Sequence, residues 1–321
     1  MHSDEMEYKA ITESFFEKDW QERFDVFYQV PIQGQRKYIK FGEYDPKNYS
    51  RLVQILREKD NEVFYIKETD LYKYYQYNVL KNLFLGLVKD RPPPQEVFRR
   101  VYPVACRIIQ DYMDFPTTDS FLRLLDELPE VLVKAVEGGN ILLQQIFAVT
   151  SRENTIHHHC INVGFYCLAL ARELEMNRED LRMICLGGMV ADIGKKYIER
   201  EVMYKKGKLT EEDFRSIRRH PSIGRKALND TKHYPDTVLR MAGEHHENFD
   251  GTGYPLGYSG ARINRAARLC KLADVFNALT SRRTYGEVMT PLQALTLMKE
   301  KLASHFDPEL LAIFIRYAGK R

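Results

Sequence analysis

The sequence predicts an α+β protein. A small α/β domain is expected over residues 1–91, a helical connector over 92–145 and an all-α helical bundle over 146–321. Three observations lead there. Alternating, aromatic-rich runs are confined to the first seventy residues. Arg91-Pro92-Pro93-Pro94 makes a stiff break. Beyond it, apolar residues recur at helical spacing almost to the end, with no strand periodicity, internal repeat or low-complexity tract.

Each element has a local reason. Residues 24–30 alternate and are rich in aromatics, and 38–41 follow after a glycine-containing turn, which is a hairpin signal. Asp45-Pro46-Lys47 opens a helix carrying Leu52, Ile55 and Leu56. Residues 62–66 read as another strand. Residues 70–88 read as a helix, with Leu71, Tyr75, Val79, Leu83 and Leu87 on one face. No catalytic constellation is visible in this first domain. Past the prolines, helices are expected over 97–113, 119–137, 140–150, 157–175, 178–191, 210–228 and 235–246. After a loop, 263–279, 290–301 and 308–318 complete the set.

The bulk numbers narrow the function. A hydrophobic fraction of 44% and a charged fraction of 29% describe an ordinary soluble protein. A net charge of +3 gives no reason to expect a nucleic-acid polymer as partner. No apolar run approaches the roughly 20 residues of a membrane helix, so membrane insertion is not expected. Residues 1–19 are polar and acidic, without the apolar core of a signal peptide. The five cysteines form no CxxC pair and read as buried, reduced thiols of a cytoplasmic protein.

The chemistry-bearing residues are scattered imidazoles and carboxylates. His245 and His246 are adjacent and precede Glu247-Asn248-Phe249-Asp250-Gly251-Thr252-Gly253-Tyr254-Pro255. His159, Asp192 and Asp274 lie in apolar helical runs, and His220 stands just before Pro221. A lone histidine on an apolar face is usually a satisfied core residue. His157 and His158 read as solvated. His220 alone could be a helix C-terminal cation, and Lys195 could simply pair with Asp192. A carboxylate ending an apolar run is costly to bury unpaired, so Asp192 and Asp274 each need a cation, a cap role or a metal. Taken together, four histidines and two aspartates suit a dinuclear iron, manganese or zinc centre inside a helical bundle. Asp192 is the candidate bridge between two divalent ions. Lys195 to Lys226 is rich in Lys and Arg, which fits a solvated helix face and equally a rim that attracts an anion.

From about residue 146 to about 310 the chain resembles HD-GYP domains, a branch of the HD phosphohydrolases. His159-Cys160-Ile161-Asn162-Val163 is similar to the first ligand helix, and Ala191-Asp192-Ile193-Gly194-Lys195 stands at the family's His-Asp-x-x-Lys position. Lys208-Leu209-Thr210-Glu211-Glu212 and His220-Pro221-Ser222-Ile223-Gly224 match the next segment. His245-His246-Glu247 with Gly253-Tyr254-Pro255 matches the naming motif. Ala273-Asp274-Val275 with Ala278-Leu279-Thr280-Ser281 and Arg283 matches the last.

The resemblance implies a metal-dependent phosphodiesterase that hydrolyses cyclic di-GMP to pGpG or GMP with a metal-activated hydroxide. It implies His159, Asp192, His220, His245, His246 and Asp274 as metal ligands. Asp192 and Lys195 would be catalytic, and Lys195, Gly253, Tyr254 and Arg283 would hold the dinucleotide. Ala191 replaces the family's leading histidine. The alternative reading is therefore a weak or inactive cyclic di-GMP-binding sensor. Thr155 stands where some members carry a glutamate for a third ion, which favours two. The first domain is expected to regulate or recruit protein partners. A homodimer through residues 119–150 is a further expectation.

Overall fold

The structure is a computed structural model and describes residues 8–12, 25–32, 35–43, 63–115, 119–137, 143–150, 153, 155–205, 207–282 and 288–320. The helix expected from Asp45 onward and the position of Arg283 lie outside the described residues. The α+β class is correct. Strands come first, and among the described residues none follows Lys67.

The strands are β1 (Tyr8–Thr12), β2 (Asp25–Ile32), β3 (Gln35–Glu43) and β4 (Val63–Lys67). The helices are α1 (Leu71–Tyr74), α2 (Lys81–Asp90), α3 (Pro94–Asp114), α4 (Glu127–Glu137), α5 (Leu143–Val149), α6 (Ile156–Glu173) and α7 (Arg178–Val190). They continue with α8 (Arg200–Met203), α9 (Glu211–Ile217), α10 (His220–Asp230), α11 (Asp236–Glu244), α12 (Arg265–Thr280), α13 (Pro291–Lys301) and α14 (Pro308–Ala318). Contacts divide the chain into two compact units: Met1–Pro92 with Asp111–Leu124, and Pro93–Gln110 with Leu125–Arg321. No described helix is long and apolar enough to cross a membrane. All five cysteines are free and buried.

In the first unit the sheet order is β1-β4-β2-β3, antiparallel throughout. The expected hairpin is β2–β3, with a bulge between Val26 and Phe27. Val26, Phe27, Phe64 and Ile66 are buried. The strand β1 escaped the sequence reading because its inward residues include a lysine. The Lys9 ammonium bonds the carboxylate of Asp111, whose other oxygen accepts from Tyr75 Oη at 2.5 Å. Asp111 is fully buried, so the cation and the phenol offset its desolvation. The expected 70–88 helix is present but interrupted by a π segment over Tyr75–Leu80.

In the second unit α6 packs on α7 and α12, and α11 packs on α7, α10 and α12. Every residue of α6 from Cys160 to Ala171 is buried, which makes it a central helix. Two expected long helices are broken. Residues 119–137 become a 3-10 turn over Asp119–Leu125 followed by α4. Residues 210–228 become α9 and α10. Proline gives the physical reason in both. Its ring collides with the carbonyl four residues back and it donates no hydrogen bond. Pro129 and Pro221 therefore sit in the first turn of a restarted helix. Thr210 caps α9 in a capping box with Asp213.

The short helical turn after α7, Ile193–Tyr197, lies directly on α10. A Cβ on Gly194 would stand 2.1 Å from His220 O and 2.6 Å from Gly224 N. Only glycine permits this approach, which fixes Asp192 relative to His220. Gly194→Ala is expected to cost about 1–3 kcal/mol through the forced backbone shift, read as a fall of several degrees in the thermal midpoint. Gly86→Ala in α2, whose added methyl meets nothing within 4 Å, is the control and should leave the midpoint unchanged or raised.

Candidate metal centre

Five helices and one turn deliver the candidate side chains. His159 comes from the first turn of α6, whose N-cap is Thr155. Asp192 follows the end of α7 and Lys195 lies in the next turn. His220 opens α10, His245 and His246 follow the last turn of α11, and Asp274 lies on α12. The structure brings all six expected ligands together. Donor atoms of Asp192, His220, His245 and His246 form one group, and those of His159, Asp192 and Asp274 form another, all within 4.8 Å of one another in each. Asp192 belongs to both.

The spacings are those of a coordination shell. His159 Nε2 lies 3.0 Å from Asp192 Oδ2 and 3.0 Å from Asp274 Oδ1. His220 Nε2 lies 3.0 Å from Asp192 Oδ1 and 3.3 Å from His245 Nε2. His245 Nε2 is 3.5 Å from the same oxygen, and His246 Nδ1 is 3.8 Å from Asp274 Oδ2. Ligands about 2.1 Å from one divalent ion sit about 3.0–3.4 Å from each other.

The proton inventory tests the fit. His220 Nδ1 lies 2.7 Å from Ile217 O, the carbonyl that Pro221 frees. His245 Nδ1 lies 3.2 Å from Met241 O and 3.0 Å from Ala242 O. A carbonyl can only accept, so both rings carry a proton on Nδ1, and a neutral ring held in this way presents its lone pair at Nε2. Burial keeps His220 neutral, lowering its pKa against the pull of Asp192. Two imidazole lone pairs thus converge on Asp192 Oδ1, itself a buried oxygen without a hydrogen bond. Three electron-pair donors facing one point call for a cation. These residues fit a metal.

The charges are consistent with this. Burial works against ionisation of Asp192, yet Lys195 and then the hydrogen bond with His159 hold its carboxyl well below the usual range. Asp274 is likewise held low, by His159 and His246 against its burial. Burial, then the neighbouring His245, pushes His246 well below the imidazole range. His159 behaves oppositely. Burial disfavours its cation, but hydrogen bonds to Asp192 and Asp274 win and raise it to about 9. Lys195 Nζ lies 2.6 Å from Asp192 Oδ2, and this pairing raises its pKa in spite of burial.

The loop after His246 is self-clamped. Glu247 is buried and is no part of either donor group. Its carboxylate accepts from Leu256 N at 2.6 Å and Tyr258 N at 3.0 Å. Asp250 accepts from Thr252 N and Oγ1 at 3.0 and 2.6 Å. Gly253 packs on the chain itself, since a Cβ there would stand 2.2 Å from Asn248 N. Tyr254 stacks on His246 with ring centroids 4.7 Å apart, and the Arg218 guanidinium lies 5.4 Å from the Tyr254 centroid. Ala191, buried, lines a gap shared with His159, Asp192, His245 and Asp274.

Two expectations need correcting. His157 and His158 are half-buried, not solvated, because α6 is enclosed from its first turns. Thr155 Oγ1 lies 2.7 Å from His158 Nδ1 and 3.1 Å from His157 Nε2, and Tyr102 stacks over His158. His220 starts a helix instead of ending one, although it does meet a C-terminal carbonyl of the helix before. Sequence reading missed Asn277 and took Arg218 only as one of the basic residues between Lys195 and Lys226. Asn277, although one helical turn beyond Asp274, meets His159 across 118 residues of chain, a contact that no local spacing marks.

Comparison with known proteins places this arrangement. A family model described as HD domain matches residues 140–310. Over 194 residues the chain is 34% identical to cyclic di-GMP phosphodiesterase PA4108 of Pseudomonas aeruginosa, covering 60% of this chain and 46% of that protein. It is 34% identical to 3'3'-cGAMP-specific phosphodiesterase 1 of Vibrio cholerae, covering 63% and 45%. The chain spans about half the length of these curated relatives. The solved structure of Bd1817, an HDG"Y"P protein from Bdellovibrio bacteriovorus, covers 98% of this chain and all of that one with a TM-score of 0.63 at 19% identity, so the two share a fold. With the matching region spanning more than half of its residues, the chain belongs to the HD domain family.

Proposed function

We propose that this chain is a metal-dependent phosphodiesterase that hydrolyses cyclic di-GMP to the linear dinucleotide or to GMP. The observation that carries the reading is the convergence of the His220 and His245 lone pairs on Asp192, a residue shared by both donor groups. His159, Asp192, His220, His245, His246 and Asp274 would hold two divalent ions, iron or manganese before zinc, with Asp192 between them. Such a pair supplies acidified water and neutralises charge on phosphate oxygens.

The chain's own residues do the rest. Lys195 stays an ammonium, since Asp192 holds its proton on, and so acts as a fixed cation toward the phosphate and not as a base. Attack by water on phosphorus forms one P–O bond and breaks the P–O bond to the leaving ribose hydroxyl, which takes up a proton. Tyr254 and Gly253 line the loop beside His246, and Tyr254 offers an aromatic face to a guanine. Arg283 is assigned a phosphate contact from its sequence position alone. Relatives named for cyclic di-GMP and for 3'3'-cGAMP both support a cyclic dinucleotide as the substrate class. We assign a cytoplasmic location, in keeping with five free buried thiols. The unit formed by the N-terminal sheet is assigned a regulatory or partner-recruiting role, and a homodimer is assigned to residues 119–150.

A specific observation favours a second reading. Ala191 lines a gap beside His159, Asp192 and Asp274, where its methyl group donates nothing. The gap is also lined by His245, and of the two donor groups one has a single imidazole where the other has three. The second reading is a cyclic di-GMP-binding sensor with little turnover.

Turnover of cyclic di-GMP and 3'3'-cGAMP with added Mn(II) or Fe(II), in this chain and in Ala191→His, separates the two. The phosphodiesterase reading expects product from both proteins, with the variant binding its second ion more tightly by at least about 10–100-fold. Product from the variant alone leaves this chain a sensor, and product from neither removes the enzymatic reading. A second outcome concerns protons. His159 holds a proton up to about pH 9 and must lose it to bind an ion. Metal affinity should therefore rise with pH from 7 to about 9, with close to one proton released at pH 7.5, as measured by calorimetry in buffers of different ionisation heat. Affinity flat across that range would remove His159 from the ligand set.

A further inference from the structure

A buried polar chain runs inward from His159. The Asn277 amide nitrogen lies 2.7 Å from His159 Nδ1. Asn277 Oδ1 accepts from Asn162 Nδ2 at 2.9 Å and from Ser281 Oγ at 3.3 Å. Asn162 Oδ1 in turn accepts from Tyr102 Oη at 2.8 Å. Asn162 and Asn277 are 0% and 2% exposed, so both amides have been taken out of water entirely. Buried amides cost stability unless hydrogen-bonded, and apolar residues would fill the same space at less risk. A chain of this length, ending on a candidate ligand, asks for a role.

Its members share one chemical property. Amide and hydroxyl groups can each donate or accept, depending on how they are turned. The contact at His159 therefore works in both senses. Asn277 Nδ2 can donate to a bare Nδ1. With the amide turned over, Oδ1 can accept from an Nδ1 that carries the ring proton, while Asn162 and Tyr102 turn in step and keep every bond. A neutral imidazole that gives Nε2 to an ion must carry its proton on Nδ1. His220 and His245 meet this demand with backbone carbonyls. No carbonyl bond to His159 Nδ1 is seen, and Asn277 stands in that place.

We propose that Asn277, backed by Asn162 and Tyr102, is a positioning residue that holds the ring proton of His159 on Nδ1 and so aims Nε2 at a divalent ion. This rests on the reading of His159 as a ligand.

The test is Mn(II) binding by the full chain, with free ion counted by electron paramagnetic resonance, in the wild type, Asn277→Leu and Asn277→Asp. Thermal midpoints in chelator are measured beside it. A positioning role makes Leu worse and Asp equal or better, because a carboxylate is a permanent acceptor for the Nδ1 proton. Leu should weaken Mn(II) binding by about 10–100-fold. A purely structural role gives the opposite order, since Leu fills the space while Asp buries a charge. In chelator the midpoints should follow that structural order, so affinity and stability separate. Affinity that tracks the chelated midpoint, or that matches wild type in both variants, overturns the proposal. Asn277→Ala, which leaves room for water, replaces Leu if that variant does not fold and carries the same expected loss. Absence of Mn(II) uptake by the wild type removes the ligand reading itself, an outcome distinct from uptake that ignores residue 277.

Discussion

The buried carboxylate of Asp192 is the constraint around which the helical unit is arranged. A carboxylate with 2% of its surface exposed cannot remain ionised without cations or polar hydrogens around it. Lys195 one turn on and His159 on α6 meet that demand, while His220 at the head of α10 and His245 at the foot of α11 bring two further nitrogens to the other oxygen. The three histidine contacts tie α6, α10 and α11 to the end of α7. The packing of α6, α7, α10, α11 and α12 and the geometry of the polar cluster are thus one problem with one solution. Gly194 is the steric part of it, since the turn carrying Lys195 reaches α10 only where no Cβ intervenes.

Proline and the cluster are connected in the same way. Pro221 ends α9 at Ile217 and leaves that carbonyl without a helical donor. The carbonyl is then taken up by His220 Nδ1, which turns Nε2 toward Asp192. A local rule of backbone sterics becomes the aim of a side chain. Glu247 plays a comparable part for the following loop, where its two oxygens gather backbone N–H groups nine and eleven residues on. The acidic residue beside the paired histidines is therefore a clamp that holds Tyr254 against His246, and it is not a ligand in either donor group.

Much of this was legible in the chain. Helices of the second unit announce themselves by apolar periodicity, and their boundaries fall within a few residues where caps such as Thr210 and Thr290 are explicit. The six candidate ligands stand out because charged groups in apolar helical runs require partners. Other features depend on proximity that spacing cannot reveal. Asn277 is 118 residues from His159, and Asn162 is 60 from Tyr102. An asparagine in a helix carries no mark of such a role. Strand β1 was obscured because Lys9 points inward to Asp111, a partner 102 residues away. The break between α9 and α10 was available from Pro221 but was outweighed by continuous amphipathic spacing on both sides.

The two donor groups are chemically unlike. One offers three imidazole nitrogens and an oxygen; the other offers one nitrogen and two carboxylates. Nitrogen-rich surroundings suit borderline ions such as zinc or ferrous iron, and oxygen-rich surroundings suit harder ones such as manganese. If ions occupy both groups as proposed, a pocket with so uneven a palette has no reason to fill its two halves with the same element. Its composition would follow the supply of each ion in the surrounding medium.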